Sequence, residues 1–229
     1  MSGAPVGNAP ARSGLAGKRV LVSAGPTFED IDPVRFVGNR SSGKMGFAVA
    51  AAARALGAEV VLVAGPVHLD TPDGVTRIDV RSAAQMHAAV LGALPADAYI
   101  AAAAVADFTP RSVSEHKIKK TAGSDTLVLE LVRTPDILAE VAAHARRPAL
   151  VVGFAAETHE VERYARGKLA NKRLDLIAAN LVGGAQGGFE RDDNALVVYW
   201  EGGARQLGPA AKTEVAAQLV QLIAERLHA

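Results

Sequence analysis

Gly25-Pro26-Thr27 and Asn39-Arg40-Ser41-Ser42-Gly43-Lys44-Met45-Gly46 bracket a polar segment near the start of this 229-residue chain. Ser41, Ser42, Gly43 and Lys44 bring two hydroxyls, bare backbone N–H groups and a cation to the point where an alanine-rich helix is expected to begin. Unpaired N–H groups and the helix dipole attract negative charge there, so the chemistry on offer is anion binding. Gly38 to Lys44 also matches the opening of the phosphate loop GxxxxGK, but the next position, where Ser or Thr would hold magnesium, is Met45. That argues against an ordinary NTPase loop and leaves the phosphate cradle intact. The competing structural reading is that Ser41 and Ser42 cap a helix while Gly43 and Gly46 permit close packing.

Asp107 follows an apolar strand expected at the sheet centre, where ligands of α/β proteins gather beyond the strand ends. Lys117, Lys119 and Lys120 form a basic cluster in a loop, readable as solvated charge or as a flap that closes over phosphates. Gly153-Phe154-Ala155-Ala156-Glu157-Thr158 follows a strand, and Phe154 suits either the core or stacking on a base. Lys168 and Lys172 share one face of the next helix, a spacing that repels unless an anion sits between them or water screens them. The six histidines show no metal-ligand spacing.

These residues hang on alternating elements. Strands are expected at 19–24, 59–64, 75–80, 99–104, 150–153 and 174–179, with helices from 45 to 56, 83 to 94, 160 to 172 and 211 to 228. Residues 25–47 read as one long polar loop between the first strand and first helix. Ser82 caps the helix after it, and Thr134-Pro135-Asp136 starts another, with Thr134 as N-cap. The alternation in Thr126 to Val132 predicts an exposed antiparallel strand, and Asn194–Trp200 with Ala204–Leu207 predicts a hairpin. Repeated βα units predict an α/β fold: a mainly parallel sheet between two helical layers, with an added antiparallel hairpin and a flap or dimerisation strand.

Composition narrows the function classes. Residues 25 basic and 24 acidic nearly cancel, which argues against a general nucleic-acid binder. The absence of cysteine excludes disulfides, cysteine-ligated metal and thiolate catalysis by this chain. No apolar run reaches the ~20 residues that span a bilayer, so no membrane partner is expected. Residues 1–16 read as a flexible tail or the remnant of a linker, and 17–229 as a single domain.

Ala24-Gly25-Pro26-Thr27, Asp32-Pro33-Val34-Arg35, the 39–46 stretch, Ala102-Ala103-Ala104-Val105-Ala106-Asp107, Lys117-Ile118-Lys119-Lys120, Pro135-Asp136-Ile137-Leu138, the 153–158 stretch and Asn194-Ala195-Leu196 appear in one order over roughly residues 18 to 228. In that order they resemble the phosphopantothenoylcysteine synthetase family. The resemblance implies a Rossmann-like three-layer αβα fold and a cytoplasmic, CTP-dependent ligase of coenzyme A biosynthesis. Such an enzyme activates the carboxylate of 4′-phosphopantothenate as an acyl-cytidylate, releases pyrophosphate, then lets the amine of L-cysteine displace CMP.

By position, the resemblance assigns nucleotide contacts to Ala103, Asp107, Lys117, Pro135, Asp136, Ile137, Leu138, Phe154, Lys168 and Lys172. Asn39 looks like the residue that holds the acyl-cytidylate for the second step, and Lys117 like the flap lysine of the first. Gly25, Pro26, Thr27, Asn39, Ser41, Ser42 and Gly43 are candidates for substrate or phosphate contact. Magnesium is expected to arrive on the triphosphate, with no metal cage in the protein and no flavin in this chain. A homodimer is implied, as is fusion to, or association with, a flavin-dependent decarboxylase. Phe28-Glu29-Asp30-Ile31 stands where relatives often carry Arg-Glu-Pro-Leu or similar, so no basic side chain is available at position 28. The alternative is a nucleotide-binding module or dehydrogenase without ligase activity. The turn Gly25-Pro26-Thr27 counts against it, because dinucleotide binding wants GxGxxG after the first strand.

Overall fold

The computed structural model describes residues 14–120, 125–157, 159–181 and 193–229. Apolar runs bounded by glycine or proline become the strands of one central sheet. They are β1 (Arg19–Ala24), β4 (Glu59–Ala64), β5 (Val75–Asp79), β6 (Ala98–Ala101), β9 (Leu150–Glu157), β10 (Leu176–Leu181), β11 (Asp193–Trp200) and β12 (Gly203–Ala211). Their order across the sheet is β12-β11-β10-β9-β6-β1-β4-β5. The stretch from β5 to β10 is parallel, and β11 and β12 add the expected antiparallel hairpin.

Alternation along the strands divides the core. Val20 and Val22 point to the face covered by α1 (Lys44–Ala55) and α5 (Lys212–Leu227). Leu21 points to the opposite face, covered by α2 (Ala83–Gly92), α3 (Ile137–Ala143) and α4 (Val161–Asn171). Gly46 lets α1 press onto β1, since a Cβ there would come within 2.5 Å of the Ala24 Cβ. The chain runs outward from β1 through β4 to β5, then returns to place β6 on the other side of β1. The gap between β1 and β6 is therefore the switch point at which open α/β sheets bind ligands.

Several local expectations change. The segment after β1 is not a plain loop: β2 (Phe28–Asp30) and β3 (Phe36–Gly38) pair as a small hairpin. Phe28 and Phe36 stack across it at 3.9 Å, so the aromatic residue at position 28 builds the hairpin. The central strand stops at Ala101, and residues 102–107 leave the sheet as a lining segment. The predicted strand from Thr126 to Val132 shrinks to β8 (Leu131–Arg133), paired only with β7 (Phe108–Pro110). Alternation alone does not hold a strand without a partner edge, and Val128 is 89% exposed. Thr134 is not the N-cap of α3, because its hydroxyl donates to the Ala106 carbonyl at 2.6 Å. Asp136 caps instead, its carboxylate accepting from the Ala139 N–H. Strand β9 extends through the Gly153–Glu157 motif, while Thr158 lies outside the described residues.

Leu15, assigned from sequence to the tail, is fully buried and its N–H donates to the Leu56 carbonyl at 2.7 Å. Residues 1–13 lie outside the described residues. Among the described residues no helix is long and apolar enough to cross a membrane.

Candidate functional site

A cavity of about 650 Å³ opens at the carboxyl ends of β1 and β6. It is bounded by the 101–105 segment, by Asp107 and Phe108, and by Arg133 through Leu138 at the start of α3. Asn39 enters from the β3–α1 connection, and Lys172 from the end of α4. Of the residues singled out in the sequence, Asn39, Ala103, Asp107, Pro135, Asp136, Ile137, Leu138 and Lys172 thus meet around one space.

Long-range hydrogen bonds hold this lining in place. Thr27 is fully buried, and its hydroxyl accepts from the Ala106 N–H at 2.9 Å. Its own N–H reaches the Ala104 carbonyl, while the Ala104 N–H donates to the Gly25 carbonyl. Gly25 takes a φ of 79°, a left-handed conformation that suits glycine. The Asn39 side-chain amide donates to the carbonyls of Ala104 and Val105 at 3.1 and 3.3 Å. Two carbonyl partners require the nitrogen on that side, so Asn39 Oδ1 is the atom left for a ligand.

Lys172 pairs with the Asp136 carboxylate at 2.7 Å, tying α4 to the cap of α3. Asp107, Arg133 and Asp136 are exposed at the rim. Arg133 was not singled out in the sequence and Thr134 only as a helix cap, although both adjoin the Pro135–Leu138 motif.

A second cavity of about 80 Å³ lies on the other side of the 102 position and shares Ala102 and Ala156 with the first. Ser41, Ser42, Gly43, Lys44 and Phe154 line it, together with Asn180, Asn194 and Lys212. Helix α1 begins here with Gly43 in a left-handed conformation (φ 76°) and no side-chain cap. The N-cap position is thus held by Gly43 and not by either serine. Ser41 Oγ accepts only a long 3.3 Å bond from the Gly43 N–H. Asn180, Asn194 and Lys212 come from the far part of the chain, and only the Asn194-Ala195-Leu196 motif hinted at any of them.

Gly25, Pro26 and Thr27 line neither cavity and act as the anchor beneath the first. Lys168 is exposed on α4, and Lys117 is exposed in the segment after β7. Neither lines either of these two cavities.

The base of the Lys117 segment is nevertheless fixed. Asp32, buried beneath the β2–β3 turn, accepts from the N–H groups of Val34, Arg35 and Ile118 and from the Arg35 guanidinium. The Arg35 guanidinium and these N–H groups hold its carboxyl well below the usual carboxylate range. Arg35 also reaches the Ile118 carbonyl at 3.1 Å. One buried carboxylate thus couples the hairpin to the residue beside Lys117.

A model of the DNA/pantothenate metabolism flavoprotein C-terminal domain matches residues 15–227. The chain belongs to that family. Coenzyme A biosynthesis bifunctional protein CoaBC of Vibrio cholerae is 53% identical over 214 residues, covering 93% of this chain and 54% of the relative. The protein of the same name from Bacillus subtilis is 50% identical over 213 residues, covering 92% of this chain and 52% of the relative. The chain therefore spans about half the length of the curated relatives it matches. A solved structure of the C-terminal domain of CoaBC is 41% identical, covers 95% of this chain and 99% of that one, and superposes with a TM-score of 0.79. The mainly parallel, Rossmann-like architecture is that of this family domain.

Proposed function

We propose that this domain is a phosphopantothenate–cysteine ligase of coenzyme A biosynthesis that uses CTP. The observation that carries the reading is the meeting of Asn39, Asp107, the Pro135–Leu138 start of α3 and Lys172 around one cavity at the switch point of a family domain.

In this reading the base enters between the 101–105 segment and Ile137, and backbone groups near Ala103 and along Pro135–Leu138 meet its polar edge. Asp107 is a carboxylate and repels phosphate, so it faces donor groups of the nucleotide. The phosphates turn toward Lys172 and toward the α1 start at Ser41–Gly43, with Phe154 beside them. Lys117 and Lys168 complete the cationic shell when the 117–120 segment closes, and Gly25, Pro26 and Thr27 serve from beneath.

The substrate carboxylate oxygen attacks the α-phosphorus of CTP, the bond to the β-phosphate breaks, and pyrophosphate leaves. Cationic and N–H donors aimed at the leaving oxygens stabilise charge that grows only as that bond breaks. The amine of cysteine then attacks the acyl carbon, an amide forms, and CMP departs. Asn39 Oδ1, left open by the anchoring of its amide nitrogen, accepts a hydrogen bond from that amine. No protein nucleophile is needed, consistent with a chain that has no cysteine.

Among the described residues no three histidine or carboxylate side chains gather as a metal site. A magnesium ion carried in on the triphosphate would supply neutralising charge there.

A homodimer belongs to the same proposal. Val34, Phe36, Phe108, Val113 and Val128 are exposed on the β2–β3 and β7–β8 hairpins and the segment between β7 and β8. Exposed apolar residues gathered in this way suit an interface, and a monomeric mass in light scattering at micromolar concentration contradicts it. The relatives are named bifunctional and extend well beyond this domain, which supports a second activity beside it; a flavin-dependent decarboxylase, fused or associated, is the partner in this proposal.

The ligase reading is tested by incubating the protein with 4′-phosphopantothenate, cysteine, CTP and magnesium and measuring pyrophosphate. Release that requires CTP and phosphopantothenate is expected. Its absence refutes the reading.

A further inference from the structure

The large cavity changes character with depth. Its exposed rim carries Asp107, Arg133 and Asp136, whereas Ser23 and Tyr99, each 1% exposed, lie at its floor. Ser23, next to last in β1, lies on the same face as Leu21, and Tyr99 stands diagonally across from it on β6. Their hydroxyl oxygens are 3.0 Å apart, and either can be the donor. Among the described residues neither hydroxyl has another hydrogen-bond partner.

Proton counting then gives a definite result. Two hydroxyls carry two protons, and the bond between them uses one. Whichever way the pair is arranged, one buried proton remains without a protein acceptor. Leaving a buried donor unpaired is costly, so the pair favours a ligand that presents an acceptor at the floor. Burial holds the Tyr99 phenol well above its usual titration range, so its proton is not lost at neutral pH. The side walls here are Ala101, Ile137 and Leu138, which suit the faces of a flat heterocycle, and the charged groups at the mouth suit a sugar and phosphates.

We infer that the Ser23–Tyr99 hydroxyl pair reads the N3 acceptor of cytosine and sets the preference for CTP over UTP. The inference rests on the ligase reading and adds side chains to a base site otherwise made by backbone. Cytosine N3 is a bare acceptor and satisfies the spare proton. Uracil N3 carries a hydrogen: a hydroxyl oxygen of the pair can accept it, but the spare proton would then stay unpaired.

The experiment compares kcat/KM with CTP and with UTP for the unaltered protein, Ser23→Ala, Tyr99→Phe and the double variant. In the double variant the ratio of the two values is expected to fall toward unity by about tenfold or more. The single change that removes the cavity-facing hydroxyl should carry most of that loss, so the singles decide the matter if the double variant folds poorly. A pair that served only packing would lower thermal stability and both nucleotide efficiencies alike. An unchanged ratio in all three variants therefore overturns the inference while leaving the ligase reading standing. An unaltered protein that turns over neither nucleotide overturns both.

Discussion

Gly65→Ala should damage the larger cavity from a position that lines no part of it. Gly65 follows β4, and a Cβ built there would lie 1.7 Å from the Pro26 carbonyl oxygen and 2.8 Å from its carbon. Non-bonded heavy atoms settle near 3.5–4 Å, so this carbonyl would have to retreat by roughly 1.8–2.3 Å. The obstacle is backbone, which cannot rotate aside as a side chain can. Pro26 sits between Gly25, whose carbonyl accepts from Ala104, and Thr27, which ties Ala104 and Ala106. Ala104 and its neighbour Val105 present the carbonyls that anchor Asn39.

The steric penalty of overfilling is about 1–3 kcal/mol. Losing two of the anchoring hydrogen bonds adds about 1 kcal/mol each. A loss of about 3–5 kcal/mol is expected, which for a domain of this size lowers Tm by about 6–20 °C. Thermal melts and CTP titration measure both consequences, and CTP affinity should fall as Asn39 and the 102–107 segment shift. Gly167→Ala is the matched control. It lies inside α4, its added Cβ meets nothing within 4 Å, and it should stabilise by about 0.5–1 kcal/mol. If Gly65→Ala melts within about 2 °C of the unaltered protein and binds CTP equally well, the reasoning about the Pro26 anchor is wrong.

Thr27→Val keeps the shape but removes the acceptor for the buried Ala106 N–H, and should cost about 1–3 kcal/mol with weaker CTP binding, measured by denaturant unfolding and titration. Asn39→Asp should let the acyl-cytidylate accumulate, while Lys117→Gln should slow its formation. Quenched-flow separation of the two half-reactions checks this, and loss of the same step in both variants contradicts the assigned roles. Asp32 has its carboxyl depressed by Arg35 and the surrounding N–H groups, so its contribution is fully present above about pH 4 and fades as pH falls through the lower folded value. Unfolding of Asp32→Asn should therefore differ from the unaltered protein most at neutral pH and converge with it in acid. A gap that persists unchanged at pH 2–3 would rule out ionisation as its source.

How much of this was legible beforehand depends on the reach of each interaction. Ser82 was readable as the cap of α2 because its partner, Gln85, lies in the next turn and the bonds close a capping box. The β11–β12 hairpin was readable because Glu201-Gly202-Gly203 joins the two strands directly, with Gly202 at φ 79°. Buried strands announced themselves as short apolar runs, and α1 through the spacing of its apolar residues. Thr134 misled because local pattern favoured it as a cap, while a carbonyl far back in the chain, that of Ala106, competed for its hydroxyl and won. The segment 126–132 misled because alternation describes a surface and does not supply a neighbouring strand.

By itself the sequence determined the layered α/β architecture, the family motifs and the polar, glycine-containing make-up of the 41–44 turn. These follow from periodicity, residue type and contacts a few positions apart. Tertiary structure alone decided that Asn39 is aimed by the carbonyls of Ala104 and Val105, that Asp32 couples the hairpin to Ile118, and that Ser23 meets Tyr99 beneath the cavity. Each of these contacts joins residues 65 to 86 positions apart. Such partners are chosen by strand order and by where loops can pack, and no local pattern records that choice.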